Sequence, residues 1–117
     1  MIRLWGRANS FNVQKAMWVL GEAGVEYERL DLGGGFGGLR EAEYLAKNPN
    51  GYIPTIDDGG FCLWESHSIV RYIAEKYAPG QLCPADIEGR AIASQWMDWA
   101  LCNLGPSFME LFWGLVR

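Results

Sequence analysis

Histidine is almost missing from the chain: among 117 residues there is one, His67. A Ser-His-Asp triad would have to use it, and no serine sits in a Gly-x-Ser-x-Gly elbow, so hydrolase chemistry of that kind is excluded. Cysteine is nearly as scarce. Cys62, Cys83 and Cys102 are odd in number, widely spaced and without a CxxC pair, so the sequence encodes neither a disulfide framework nor a zinc site, and a reducing compartment is expected. No apolar run approaches the roughly 20 residues that a membrane span needs. Positive charge is also short: 10 Lys and Arg against 14 Asp and Glu leave a net charge of -4, and the basic residues are scattered, which argues against nucleic acid as a partner. The first residues have no basic segment followed by an apolar one, so no signal peptide is read and a cytoplasmic location is expected. What the chain does have is a 50% apolar content with 15 glycines and six tryptophans. That is a folded domain and part of another, with small molecules or proteins as partners.

Ile2–Trp5 reads as a short strand stopped by Gly6. A polar turn, Arg7-Ala8-Asn9-Ser10, then leads to Val13, Ala16, Met17 and Leu20 at helical spacing. The helix should stop at Gly21 or Gly24. Residues 25–32 alternate loosely and read as a second strand, ending in Gly33-Gly34-Gly35. Residues 39–47 form a short second helix, closed by Asn48-Pro49-Asn50-Gly51. Residues 52–56 read as a strand carrying Pro54; Asp57-Asp58-Gly59-Gly60 is a tight turn into Phe61–Trp64, which makes a hairpin. Ile69, Val70, Ile73 and Tyr77 mark a third helix, with Glu65 and Ser66 placed to cap its start. The expected order is β-α-β-α-β-β-α, an α/β domain over residues 1–78.

Residues 79–86, rich in Pro and Gly, read as a linker. Residues 87–104 are helical, but their apolar positions cover more than one face, as in a helix meant to be buried. After Gly105-Pro106 the tail offers Phe108, Met109, Leu111, Phe112, Trp113, Leu115 and Val116. In a monomer, Trp96, Trp99, Phe108, Phe112 and Trp113 would form a large exposed apolar patch, so self-association through residues 87–117 is expected.

Several positions invite chemistry. The glycine cluster Gly33-Gly34-Gly35-Phe36-Gly37-Gly38 satisfies GxGxxG. It follows the second strand rather than the first, though, and the chain is too short for a doubly wound sheet, so a flexible loop is the better reading than a dinucleotide site. The first strand-to-helix turn places helix-start amides where an anion would be stabilised. Ser10 there is either a thiolate donor or an ordinary N-cap. Asn12 is equally ambiguous, and Lys15, about one turn further, faces a ligand carboxylate or solvent. Pro54 within a strand implies an edge or a cis bond, and the latter would expose the Ile53 backbone to a ligand. Glu65-Ser66 is either a capping pair or a holder of amino and carboxylate groups.

Taken together, Ser10-Phe11-Asn12-Val13-Gln14-Lys15, Asn48-Pro49-Asn50-Gly51-Tyr52-Ile53-Pro54, and Trp64-Glu65-Ser66 followed by Ile69-Val70-Arg71-Tyr72 resemble the glutathione S-transferase family, with the serine-type turn of bacterial-like members. The resemblance covers the whole chain. It implies a thioredoxin-like glutathione-binding domain over residues 1–78 and the first part of an all-helical domain from residue 87. It also implies roles. Ser10 would hydrogen-bond the glutathione sulfur, with Asn12 as its competitor; Ile53, before cis-Pro54, would pair backbone to backbone with the cysteinyl part; Glu65 and Ser66 would hold the γ-glutamyl end. Tyr52 stands where many members carry Lys or Gln, which leaves Lys15 or Asn12 as the alternative contact to the glycyl carboxylate. Glutathione is then a co-substrate, with no metal, and its thiolate attacks a small electrophile directly, as in detoxification by a cytoplasmic dimer. Members of the family are longer, so this chain is expected to bind glutathione better than it turns over a substrate. A thioredoxin or glutaredoxin would need a cysteine in the first turn, and none precedes Cys62. The alternative function is a non-catalytic interaction module on the same fold.

Overall fold

The structure, a computed structural model, describes residues 1–115. The chain divides into two compact units, Met1–Leu82 and Cys83–Arg117. The first runs β1 (Ile2–Trp5), α1 (Phe11–Glu22), β2 (Tyr27–Leu30), a 3-10 turn (Gly34–Phe36), α2 (Ala42–Lys47), β3 (Thr55–Asp58), β4 (Phe61–Trp64) and α3 (Ser66–Tyr77). This is the expected β-α-β-α-β-β-α order of a thioredoxin-like domain. The sheet order is β2-β1-β3-β4, with β1 parallel to β2 and antiparallel to β3, and β3 antiparallel to β4.

Alternation along β1 decides which side is which. Ile2 and Leu4 are buried with Ile56 against Val13, Ala16, Val19 and Leu20 of α1 and Ile69 and Ile73 of α3. Each such Leu or Ile contributes about 1.5–3 kcal/mol by leaving water, so this one layer dominates the stability of the unit. Trp5 faces the other way, where the Lys47 ammonium of α2 lies 5.3 Å from its ring centroid.

Element ends depart from the sequence expectation for local reasons. Gly24, with φ of +68°, terminates α1, while Gly21 stays inside it: Val25 N–H reaches back to Leu20 O at 3.0 Å, closing the last turn. Val25 is thereby occupied, so β2 begins at Tyr27 rather than at residue 25. Residues 39–41 form a turn, with Glu41 N–H on Gly38 O at 3.2 Å, and α2 starts only at Ala42. β3 starts at Thr55, after Pro54, which has no N–H to give to a ladder. Tyr52, Ile53 and Pro54 therefore lie outside the strand expected to contain them. The hairpin turn is Gly59-Gly60, both at positive φ, and Asp57 Oδ1 accepts from Gly60 N–H at 2.7 Å.

Asp58 ends β3 and ties the hairpin to α3. Its Oδ2 accepts from Tyr72 Oη at 2.7 Å, Lys76 Nζ at 2.8 Å and Tyr77 Oη at 2.8 Å. Burial of the carboxylate raises its pKa, but the three donors outweigh that and hold it at about 2, below the ordinary 3.8.

The second unit is helical: α4 (Ile87–Trp99), a π-helical stretch (Ala100–Leu104) and α5 (Gly105–Leu115). Asp86 caps α4 by accepting from Gly89 N–H at 2.9 Å. Gly105-Pro106 does not interrupt the helix as the sequence suggests. The π stretch widens the spiral just before Pro106, and Gly105 N–H bonds to Ala100 O five residues back. Val116, the last apolar residue of the tail, lies outside the described residues. No described helix is long and apolar enough to cross a membrane.

Candidate functional site

Strand register gathers the segments singled out in the sequence. Leu30, Trp5, Thr55 and Trp64 stand in one row across all four strands. From that row the chain leaves β2 into the glycine-rich loop, leaves β1 into the turn ending at Ser10, enters β3 from Ile53-Pro54, and leaves β4 into Glu65-Ser66. All four segments thus open at one end of the sheet, although they are far apart in sequence.

Ser10 is 7% exposed and caps α1: its Oγ accepts from Val13 N–H at 3.4 Å. The bland and the chemical readings are compatible here, because capping uses a lone pair of the oxygen and leaves the hydroxyl hydrogen for a ligand. Asn12, in the first turn of α1, is exposed. Ile53 is half-buried, and the Ile53–Pro54 bond is cis. Glycine is required around it: a Cβ on Gly6 would come within 2.4 Å of a Val13 methyl and 3.4 Å of Ile53 Cβ, and one on Gly33 within 3.0 Å of Ile53 Cδ1. The glycine cluster is thus partly a packing device and not an unconstrained loop.

A buried polar network fixes the approach to β3, and the sequence reading missed it. Asn48, 1% exposed, donates to Tyr52 O at 2.9 Å and to Thr55 Oγ1 at 3.1 Å, while its Oδ1 accepts from Asn50 N–H at 3.0 Å. The Tyr44 hydroxyl bonds Tyr52 O and pairs with Thr55 Oγ1 at 2.7 Å. Burial raises the Tyr44 pKa, so the hydroxyl stays protonated and able to donate. The available signal is spacing: Tyr44 and Asn48 are one helical turn apart and face the same side, whereas Asn48 reads in the sequence as a helix stop and as the first residue of the motif over residues 48–54. Tyr52 itself projects its side chain to solvent, 68% exposed.

At the third segment the expected capping pair is not formed. Glu65 occupies the N-cap of α3 at φ of +75° and makes no side-chain cap bond, and Ser66, nearly buried, is already the first helical residue. A positive φ on a residue with a Cβ costs about 1–2 kcal/mol, a strain that is found preferentially at functional positions. Lys15 points neither to bulk solvent nor into open space. Its Nζ lies 3.0 Å from His67 Nε2 and 4.6 Å from the Phe11 ring centroid, and burial lowers its pKa. His67 therefore meets the Lys15 ammonium beside Ser66. Among the described residues no group of three or more His, Cys, Asp or Glu is placed to hold a metal ion.

Comparison with known proteins identifies the class. The family model for the glutathione S-transferase N-terminal domain matches residues 1–75, and the chain belongs to the glutathione S-transferase family. It is similar to glutathione S-transferase GstB of Escherichia coli (strain K12), 43% identical over 100% of this chain and 57% of that protein. The probable glutathione S-transferase GSTF2 of Oryza sativa subsp. japonica is 36% identical over 99% of this chain and 54% of its own. Among solved structures, the theta class glutathione S-transferase of Xanthomonas axonopodis pv. citri with glutathione bound superposes with a TM-score of 0.94 at 50% identity, over 99% of this chain and 56% of that one. The chain spans about half the length of the curated relatives it matches.

Proposed function

We propose that the protein binds glutathione as its thiolate at the end of the sheet where Trp5, Thr55 and Trp64 align, and conjugates it to small electrophiles. The single observation that carries this reading is that in-register row, because it delivers Ser10, Ile53-Pro54 and Glu65-Ser66 to one place. Ser10 Oγ donates to the sulfur, with Asn12 beside it. The Ile53 backbone, which takes no part in the β1–β3 ladder, pairs with the cysteinyl unit. Glu65 and Ser66 hold the γ-glutamyl end, and Lys15 and Tyr52 flank the site. A free thiol with pKa of about 8.5 is only about 3% ionised at neutral pH, and lowering it by roughly two units makes most of it thiolate. That requires about 2.7 kcal/mol of preferential stabilisation, the size of one hydrogen bond to an anion plus a helix N-terminus. No covalent enzyme intermediate is needed, since the thiolate attacks the electrophile itself. Cytoplasmic detoxification by a homodimer is the setting that fits this chemistry.

The test is a calorimetric titration with glutathione at several pH values, in buffers of different ionisation enthalpy. Proton release on binding near neutrality is expected. Binding without proton release refutes thiolate stabilisation, and no binding leaves the interaction-module reading in its place.

A further inference from the structure

Among the described residues, Arg7 is the one Lys, Arg, Asp or Glu with a buried side-chain atom that lacks a hydrogen-bond partner. It stands two residues after Trp5 and three before Ser10, and its backbone is fixed at both ends: Arg7 N–H donates to Leu32 O at 2.9 Å, and Arg7 O accepts from Ser10 N–H at 3.2 Å. The side chain is fixed as well. Nη1 donates to the neutral Asn9 Oδ1 at 3.0 Å, and the stem lies so close under Gly34 that a Cβ there would sit 2.7 Å from Nε and 2.8 Å from Cδ. Nε is buried and has no hydrogen-bond partner among the described residues, yet part of the side chain remains exposed.

A guanidinium keeps its charge at any physiological pH, and burying part of it beside a single neutral acceptor is unfavourable unless an anion completes the set. Its planar fork matches a carboxylate. Asn9 and Gly34 hold it in place beforehand, so little side-chain freedom is lost when an anion arrives.

We propose that Arg7 is a carboxylate-binding residue beside Ser10. This rests on the glutathione reading and deepens it, because the carboxylate comes either from the glycyl end of glutathione or from the electrophile joined to its sulfur. In the second case Arg7 selects electrophiles that carry an acid group and holds them next to the thiolate.

The experiment measures the affinity of the chain and of its Arg7→Gln and Arg7→Lys variants for four probes: glutathione, glutathione glycyl ethyl ester, S-methylglutathione and S-carboxymethylglutathione. If the electrophile supplies the carboxylate, the chain binds S-carboxymethylglutathione at least about tenfold more tightly than S-methylglutathione, and Arg7→Gln brings that ratio to near one. If the glycyl end supplies it, Arg7→Gln weakens the three acids by about tenfold and leaves the ester unchanged. Each ratio is internal to one protein, so partial destabilisation of a variant does not obscure it, and Arg7→Lys, which keeps charge but loses the fork, should fall between. Affinities unchanged by Arg7→Gln, or all four probes weakened alike, overturn the proposal while leaving the glutathione reading intact. Failure of the unaltered chain to bind any probe overturns both.

Discussion

Replacing Asp58 by Asn isolates the contribution of a single oxygen. Asp58 Oδ2 accepts from Tyr72, Lys76 and Tyr77, joining the β3–β4 hairpin to the last turns of α3. The carboxylate side chain is 12% exposed, whereas Lys76 is 49% exposed, so water screens the ionic part of the contact but not the phenol bonds. A pKa of about 2 in the fold against 3.8 without it corresponds to about 2.4 kcal/mol at most, and screening reduces this to about 1–2 kcal/mol. The direction follows from the sign of the shift. The folded pKa is depressed, so the stabilisation is fully present above pH 3.8 and is lost as the pH falls towards 2. The assay is urea unfolding of the protein and of Asp58→Asn at a series of pH values. The two should differ by about 1–2 kcal/mol from neutral pH down to about 4, and the gap should then close, because a protonated Asp58 resembles the amide. A gap that stays constant as the pH falls from 3.8 to about 2 would refute the assignment of the stabilisation to the charged carboxylate.

Ser10→Ala should cost about 1 kcal/mol through loss of the α1 cap while abolishing proton release on glutathione binding; calorimetry and thermal unfolding on the same sample separate the two effects. Asn48→Ala removes three hydrogen bonds from a nearly solvent-free position and should lower stability by about 3 kcal/mol, with glutathione affinity falling as the Tyr52–Thr55 approach loosens; a loss under about 1 kcal/mol in denaturant titration would contradict the network. Gly6→Ala forces a Cβ to 2.4 Å from Val13 at φ of +152°, so a loss of about 2 kcal/mol or more is expected, whereas Gly59→Ala, with open space around it, should cost only the strain of its turn.

Much of the fold could be read from the chain because its signals are local. The helical spacing of Val13, Ala16 and Leu20 and the turn residues Gly59-Gly60 each determine their own element. What the sequence leaves open depends on which partner each polar group takes, near or far along the chain. Whether Gly21 or Gly24 stops α1 is settled by a bond from Val25 back to Leu20, and the start of β2 follows from that bond. The Pro54 segment resembles a strand in composition, but the Tyr52 carbonyl at its start is taken by Tyr44 and Asn48. Among the site residues, Ser10 and Glu65-Ser66 were visible as helix starts. The seating of Lys15 against His67 and the packing of Arg7 under Gly34 arise only when separate elements meet.

The in-register row at the end of the sheet also determines where the domain can be cut or extended. A single residue inserted within β1, β3 or β4 would slide one segment of the site by about 3.3 Å relative to the others and turn its side chains to the opposite face. Gly24, Gly59 and Gly60 lie at the opposite end, with empty space where a Cβ would go. Tags, tethers or whole inserted domains belong at those turns, where the added length is directed away from Ser10, Ile53 and Ser66.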